Sequence, residues 1–346
     1  MVHYADASQP SKTTTMMKQQ RIASLDLIRT IAILLVIMQH AWSGMHFDEP
    51  TAGAWSYGYH ALVVMGVPLF FMLSGALLLD GNPMPIGHFL SRRFKRLLIP
   101  FVLWGTIVYV IAAAMHKYPD VTTPMAALHH YVPYLLEGKV NASHWYIYVL
   151  VGLYLLTPFL QRALAMPQGK QLAGYGIALW AIWMLMRAYY PAFGSMHYYS
   201  ASAFMYLGFF LCGYYAVKFV PDRRIGRLLG LIGFAIAYPL NVWAVAIGAN
   251  TAILHAVGVI SLFLLIKSWA IPHRATPLVT SAGRYTYVIY FVHVLIVSLL
   301  CTLDIWGWCP QWLQPIAITL PTYAISYLCA SMLDRIRLVP KAWVGI

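Results

Sequence analysis

The 346-residue chain is 61% apolar and only 10% charged, a balance far outside that of soluble domains, so a water-soluble globular protein is excluded. The formal charge of +13 raises the question of nucleic acid, but there is no Gly/Ser or RGG tract and no long basic helix outside the apolar runs. No nucleic-acid partner is expected, and the charge is read as membrane topology instead.

Taken in order, residues 1–20 are polar and rich in Ser, Thr, Gln and Lys, and are expected to form a disordered cytoplasmic tail. They lack the pattern of a removable signal peptide. A membrane domain is expected over 21–334 and a short cytoplasmic tail over 335–346. Within the membrane domain, ten apolar runs fall at about 25–45, 59–79, 97–115, 144–161, 172–190, 201–217, 228–247, 251–269, 285–303 and 314–333, each near the ~20 residues needed to cross hydrocarbon. In lipid the backbone must satisfy its own polar groups, and nothing here alternates as a barrel strand does. The fold class is therefore an all-α polytopic membrane protein with about ten transmembrane helices. Nineteen Lys and Arg fall on the side of the N-terminus, against Lys117, Lys139 and Arg187 on the other. This predicts both termini in the cytoplasm. No internal repeat is evident, and a homo-oligomer is left open.

The first helix carries a polar stripe. Arg29 and His40 are eleven positions apart; at ~3.6 residues per turn they point only about 20° apart, and lie ~16 Å apart along the axis. Asp26 precedes Arg29 by three residues on a neighbouring part of that face. Charges at bilayer depth are costly, at least ~2.5 kcal/mol each, and usually face a bundle interior or a wet cavity. An interfacial Arg29 snorkelling to headgroups is the simpler alternative.

In the second run Pro68 is expected to kink the helix. Ser74 and Gly75 there offer either a close-packing surface or a ligand contact. His60, at the outer end, is read as interfacial. Arg92, Arg93, Lys95 and Arg96 form the densest cationic patch, which serves as a topology signal or a phosphate site. The longest outer segment, 116–143, is read as a loop whose histidines lack metal-site spacing, and no metal is expected. Asn141-Ala-Ser143 matches a glycosylation triplet. His144, Trp145, Tyr146 and Tyr148 open the fourth run as an aromatic belt or a sugar platform. Residues 193–199 form a second aromatic cluster. Tyr290 and His293 share a helix face, and His293 is expected to make an interhelical hydrogen bond. The four cysteines make neither a disulfide framework nor a zinc site.

With these residues the chain resembles the membrane-bound acyltransferase family three, which O-acylates cell-envelope glycans in bacteria. Arg29-x10-His40, the Val67-Pro68…Phe71…Ser74-Gly75 run and Arg93-x-x-Arg96 ahead of Pro100 carry the resemblance. Trp145…Gly152-Leu-Tyr154…Pro158 and Tyr290…His293 add weaker matches. The resemblance implies transfer of an acyl group, usually acetyl from cytosolic acetyl-CoA, to a hydroxyl of a polysaccharide or lipid-linked sugar at the outer face. It implies Arg29 and His40 as the essential pair and Arg93 and Arg96 as donor contacts, in a bacterial inner membrane. Beside these, Asp26 is read as orienting Arg29, Arg92 and Ser74 as further donor contacts, and Trp145, His144, Tyr290 and His293 as acceptor contacts. Two departures stand out. His144 is adjacent to Trp145, where the family commonly separates the two by one residue. The appended extracytoplasmic domain of many members is not seen, and the bare membrane unit is expected.

The chemistry is consistent with the residues. Acyl transfer needs a base for the acceptor hydroxyl or a nucleophile to carry the acyl group, and His40 can serve as either. It also needs positive charge near the thioester or the phosphates, a role open to Arg29. No Ser-His-Asp triad is readable from spacing. The competing reading is a transporter or flippase using Arg29 and His40 for an anionic solute or protons.

Overall fold

The computed structural model describes residues 12–45, 53–81, 83–189, 198–220, 222–303 and 305–336. Among them there is no strand; every long element is an α-helix. In chain order these are α1 (Lys12–Gly44), α2 (Trp55–Val63), α3 (Gly66–Leu78), α4 (Ile86–Ala114), α5 (Pro124–Leu136), α6 (Trp145–Leu164) and α7 (Gly169–Tyr189). Then follow α8 (Tyr198–Phe219), α9 (Arg223–Ala246), α10 (Ala252–Lys267), α11 (Thr276–Arg284), α12 (Thr286–Thr302) and α13 (Gln314–Arg335). The chain is an all-α polytopic membrane protein, and all ten predicted runs are helical.

Length and apolarity suffice for crossing a membrane in six of these helical stretches among the described residues, or seven if the bent pair His273–Arg284 and Thr286–Thr302 is one span. That pair bends by 59°. Ala203–Phe219 and Ala252–Lys267 are apolar but shorter. The runs expected from the sequence are helical, but among the described residues these six or seven stretches, not ten, are long and apolar enough to span.

α1 is the central post. Ile28, Ala32, Ile33, Ile37 and Ala41 are wholly buried, because α2, α3 and α10 to α13 all pack against it. The outer helices behave oppositely. Leu228, Leu231, Ile232, Ile236 and Trp243 of α9 stay exposed, which is an apolar surface for lipid rather than water. α1 begins at Lys12, so part of the tail expected over 1–20 is helical; its polar residues extend the helix by propagation from the apolar run. Residues 1–11 and 337–346 lie outside the described residues.

Two further expectations are refined. The second run is broken at Val64–Met65, between α2 and α3. The break falls where Pro68 removes a backbone donor and its ring crowds the carbonyl four residues back. The segment 116–143 is no bare loop: it contains α5, started by Thr123, whose hydroxyl accepts the Ala126 N–H at 3.1 Å, and by Pro124 at the first helical position. Asn141 is likewise engaged, its side-chain oxygen accepting the Ser143 N–H at 2.9 Å in a local turn.

Gly75 resolves the packing question in the second run. A Cβ there would lie 1.8 Å from the Phe210 carbonyl oxygen, and one on Gly213 would lie 1.8 Å from that of Met72. α3 and α8 therefore cross backbone to backbone, each through a glycine.

Candidate functional site

Two cavities meet inside the bundle. The smaller, about 290 Å³, is basic: Arg29 from α1 and Arg93 and Arg96 from α4 line it, with Ser74, Tyr154 and Tyr287. The larger, about 640 Å³, holds Gln39 and His40 from α1, Trp145 from α6, and polar groups from α7, α9 and α10. Tyr146 and Tyr290 line both. The polar stripe on α1 thus serves the two chambers from one helix, Arg29 in the basic one and His40 in the large one.

Arg29 is half-buried, and its Nη1 donates to the Asp26 carboxylate. Asp26 is itself buried where α1 meets α11: it is hydrogen-bonded by Thr280, and Gly283 lets the two backbones approach. Asp26 lines neither cavity, so it is a positioning residue that aims Arg29. Arg93 is held over the Phe89 ring at 5.7 Å, and the Tyr287 hydroxyl ties α12 to α4 through the Leu97 carbonyl at 2.9 Å. Arg92 is exposed and lines neither cavity, because the helix turns it about 100° from Arg93. Of the cationic patch, Arg93 and Arg96 converge with Arg29; Arg92 does not.

His40 packs against His293, ring centroids 5.2 Å apart. His293 is wholly buried and lines neither cavity. Its Nδ1 donates to the Ile289 carbonyl at 3.0 Å, one turn back in its own helix, which leaves Nε2 as an acceptor with no partner among the described residues. The expected interhelical hydrogen bond is not seen among the described residues. His293 backs His40 rather than touching the cavity.

Tyr290 donates its hydroxyl to the Ser143 carbonyl, and its ring stands 5.4 Å from that of Tyr146. Tyr146 is hydrogen-bonded to Ser74. Trp145 lines the large cavity beside Tyr206, ring centroids 5.3 Å apart. His144, its neighbour in sequence, is buried against Phe101 at 5.0 Å, under Gly105, and lines neither cavity. The turn preceding α6 sends consecutive residues to different faces, so His144 is a packing residue and Trp145 a cavity residue.

Sequence reasoning named Tyr146 and Tyr154 only within an aromatic segment, without a role of their own, and did not single out Tyr287. It also missed the polar group of Arg187, Asn241, Asn250 and His255 in the large cavity. The one available signal was a polar residue inside an apolar run, as at Asn241 and His255. Of the second aromatic cluster, residues 193–197 lie outside the described residues. Among the described residues no group of three or more His, Cys, Asp or Glu is placed to hold a metal.

The chain matches the acyltransferase-3 family, described as an acyltransferase domain, over residues 22–331. It is similar to Nodulation protein 10 of Rhizobium leguminosarum bv. viciae, 26% identical over 138 residues. That match covers 39% of this chain and 36% of the relative, so the chain spans well under two thirds of the relative's length. No solved structure matches.

Proposed function

We propose, for a chain that belongs to the acyltransferase-3 family, that this integral membrane acyltransferase moves an acetyl or other short acyl group from acyl-coenzyme A to a hydroxyl of a cell-envelope polysaccharide or lipid-linked sugar. One observation carries the reading: a basic cavity and a larger histidine- and tryptophan-lined cavity share the Tyr146–Tyr290 wall. Two reactants that must meet without mixing their chambers need such an arrangement.

Arg29, Arg93 and Arg96 have the chemistry to hold the donor's phosphates by charge-assisted hydrogen bonds. The pantetheine arm then runs from this cavity toward the shared wall. In the large cavity His40 takes the proton of the acceptor hydroxyl as its oxygen attacks the thioester carbonyl carbon. The C–O bond forms, the C–S bond breaks, and the departing coenzyme A thiolate receives the proton from His40. Transfer through an acyl-His40 uses the same groups in two steps. His293 acts through His40, packing against its ring at 5.2 Å and limiting the orientations the imidazole can take.

The cation asymmetry supports a cytoplasmic donor side with ten membrane-associated helices and both termini in the cytoplasm, in a bacterial inner membrane. Family membership favours this reading over a transporter. The test is release of coenzyme A thiol from acetyl-CoA by the purified protein in detergent, with and without envelope sugar acceptors. Turnover above a no-protein blank, raised by an acceptor, supports it; no turnover with any short acyl-CoA sinks it.

A further inference from the structure

The large cavity is more than an opening onto His40. Two groups of elements supply much of its polar and aromatic lining, beside residues of α2, α3 and α8. α1, α6 and α12 contribute His40, Trp145, Tyr146 and Tyr290. α7, α9, α10 and the turn before α10 contribute Arg187, Asn241, His255 and Asn250. The second group takes no part in the transfer chemistry described above.

Three of its members are polar groups left short of partners. Among the described residues Arg187 makes only weak contacts: Nη1 lies 3.7 Å from the Met205 sulfur, and the guanidinium sits over Trp183 at 5.6 Å. No carboxylate pairs with it among the described residues, and the cavity lining contains no Asp or Glu. Asn241 is 1% exposed, yet its Oδ1 has no hydrogen-bond partner among the described residues. The buried Nδ1 of His255 has none either. Asn250 braces this wall, donating to the Ala188 carbonyl beside Arg187 at 3.4 Å. Leaving buried polar atoms such as Asn241 Oδ1 and His255 Nδ1 unsatisfied costs about 1–3 kcal/mol each, and the partly buried Arg187 guanidinium beside them has no anion to pair with among the described residues. Such groups persist where a ligand completes them.

We propose that this wall is an anion subsite of the acceptor pocket, and that the acceptor is a sugar bearing a negatively charged group, a phosphate or a carboxylate, as well as the hydroxyl that is acylated. Arg187 pairs with the anion, bidentately where geometry allows, while Asn241 and His255 hydrogen-bond the sugar's polar edge. Trp145 supplies the flat face on which a pyranose ring packs. The anion, held on α7, anchors the acceptor so that its free hydroxyl is directed to His40 on α1. This rests on reading the large cavity as the acceptor's.

The test is direct binding to the purified full chain by calorimetry. The probes are N-acetylglucosamine, N-acetylglucosamine 1-phosphate, glucuronic acid and inorganic phosphate. At least one charged sugar is expected to bind about tenfold or more tighter than the neutral sugar, as a charge-assisted pair implies. Arg187→Gln should remove that preference and leave neutral-sugar binding unchanged. Arg187→Lys should keep part of it, and unaltered coenzyme A binding shows that each variant is folded. Which charged sugar wins assigns phosphate or carboxylate. Equal binding of charged and neutral sugars, a preference that survives Arg187→Gln, or inorganic phosphate binding as tightly as the sugar phosphate overturns the subsite. Thiol release from acetyl-CoA is measured separately. Arg187-dependent sugar binding without turnover would sink the acyltransferase reading and keep the subsite; turnover without the charge preference would do the reverse.

Discussion

Tyr146 and Tyr290 stand ring to ring, centroids 5.4 Å apart, and each faces both cavities. One comes from α6 and the other from α12, and both are pinned: Tyr146 to Ser74 of α3, Tyr290 to the Ser143 carbonyl ahead of α6. The wall between the basic chamber and the His40 chamber is therefore a tertiary construction, held by hydrogen bonds between helices distant in sequence.

His40 is expected to be needed for turnover and not for folding. It lines the large cavity, and what it would lose among the described residues is the ring contact with His293. His40→Ala should elute like the parent protein on gel filtration and lose about a hundred- to ten-thousand-fold in transfer rate, the range for a removed acid–base group. Activity near that of the parent would take His40 out of the mechanism.

The cationic patch on α4 should split by position. Arg93→Ala and Arg96→Ala should raise the KM for acetyl-CoA by about ten- to a hundredfold, as lost charge-assisted bonds do. Arg92→Ala, exposed and off the cavity, should change it far less. Steady-state kinetics in one detergent decides it: three equal effects would reduce the patch to a topology signal.

Gly75 should be intolerant of any side chain. Its Cβ would overlap the Phe210 carbonyl, so α3 and α8 must separate to accept Gly75→Ala. Overpacking of this kind costs about 1–3 kcal/mol. The readout is a lower thermal unfolding midpoint in detergent, together with an altered KM, since Ser74 beside it lines the basic cavity. An unchanged midpoint would mean that the crossing is looser than the geometry indicates.

Asp222 offers a pH test outside the membrane segments. Its carboxylate caps α9, accepting the N–H groups of Arg224 at 2.7 Å and Ile225 at 3.1 Å, and these bonds hold its pKa below the ordinary carboxylate value. A depressed folded-state pKa contributes stability above the unfolded value of ~3.9, and that contribution is lost as the pH falls through the folded value. Asp222→Ala should therefore lower the unfolding midpoint at neutral pH, and the gap from the parent should close at strongly acid pH. A gap that persists in acid would assign the effect to something other than the charged cap.

Much was legible in the chain alone. Apolar runs in lipid can only be helices, because the backbone has no other partner there, and that local rule places the helices. The Arg29–His40 stripe follows from periodicity within one helix, and so does the Arg93/Arg96 pairing. Each of these depends on residues a few turns apart on a single element. The sequence did not separate His144 from Trp145, because which of two neighbours meets a cavity depends on the helices packed around them. It did not show that Arg92 points away, that Pro68 breaks its run at Val64, or that the segment 116–143 folds a helix of its own. It could not show the Tyr146–Tyr290 wall, nor that Arg187, Asn241 and His255 face one chamber with His40. Those relationships join different helices, and the packing of α1 against its neighbours sets them; no period along the chain encodes which helix lies beside which.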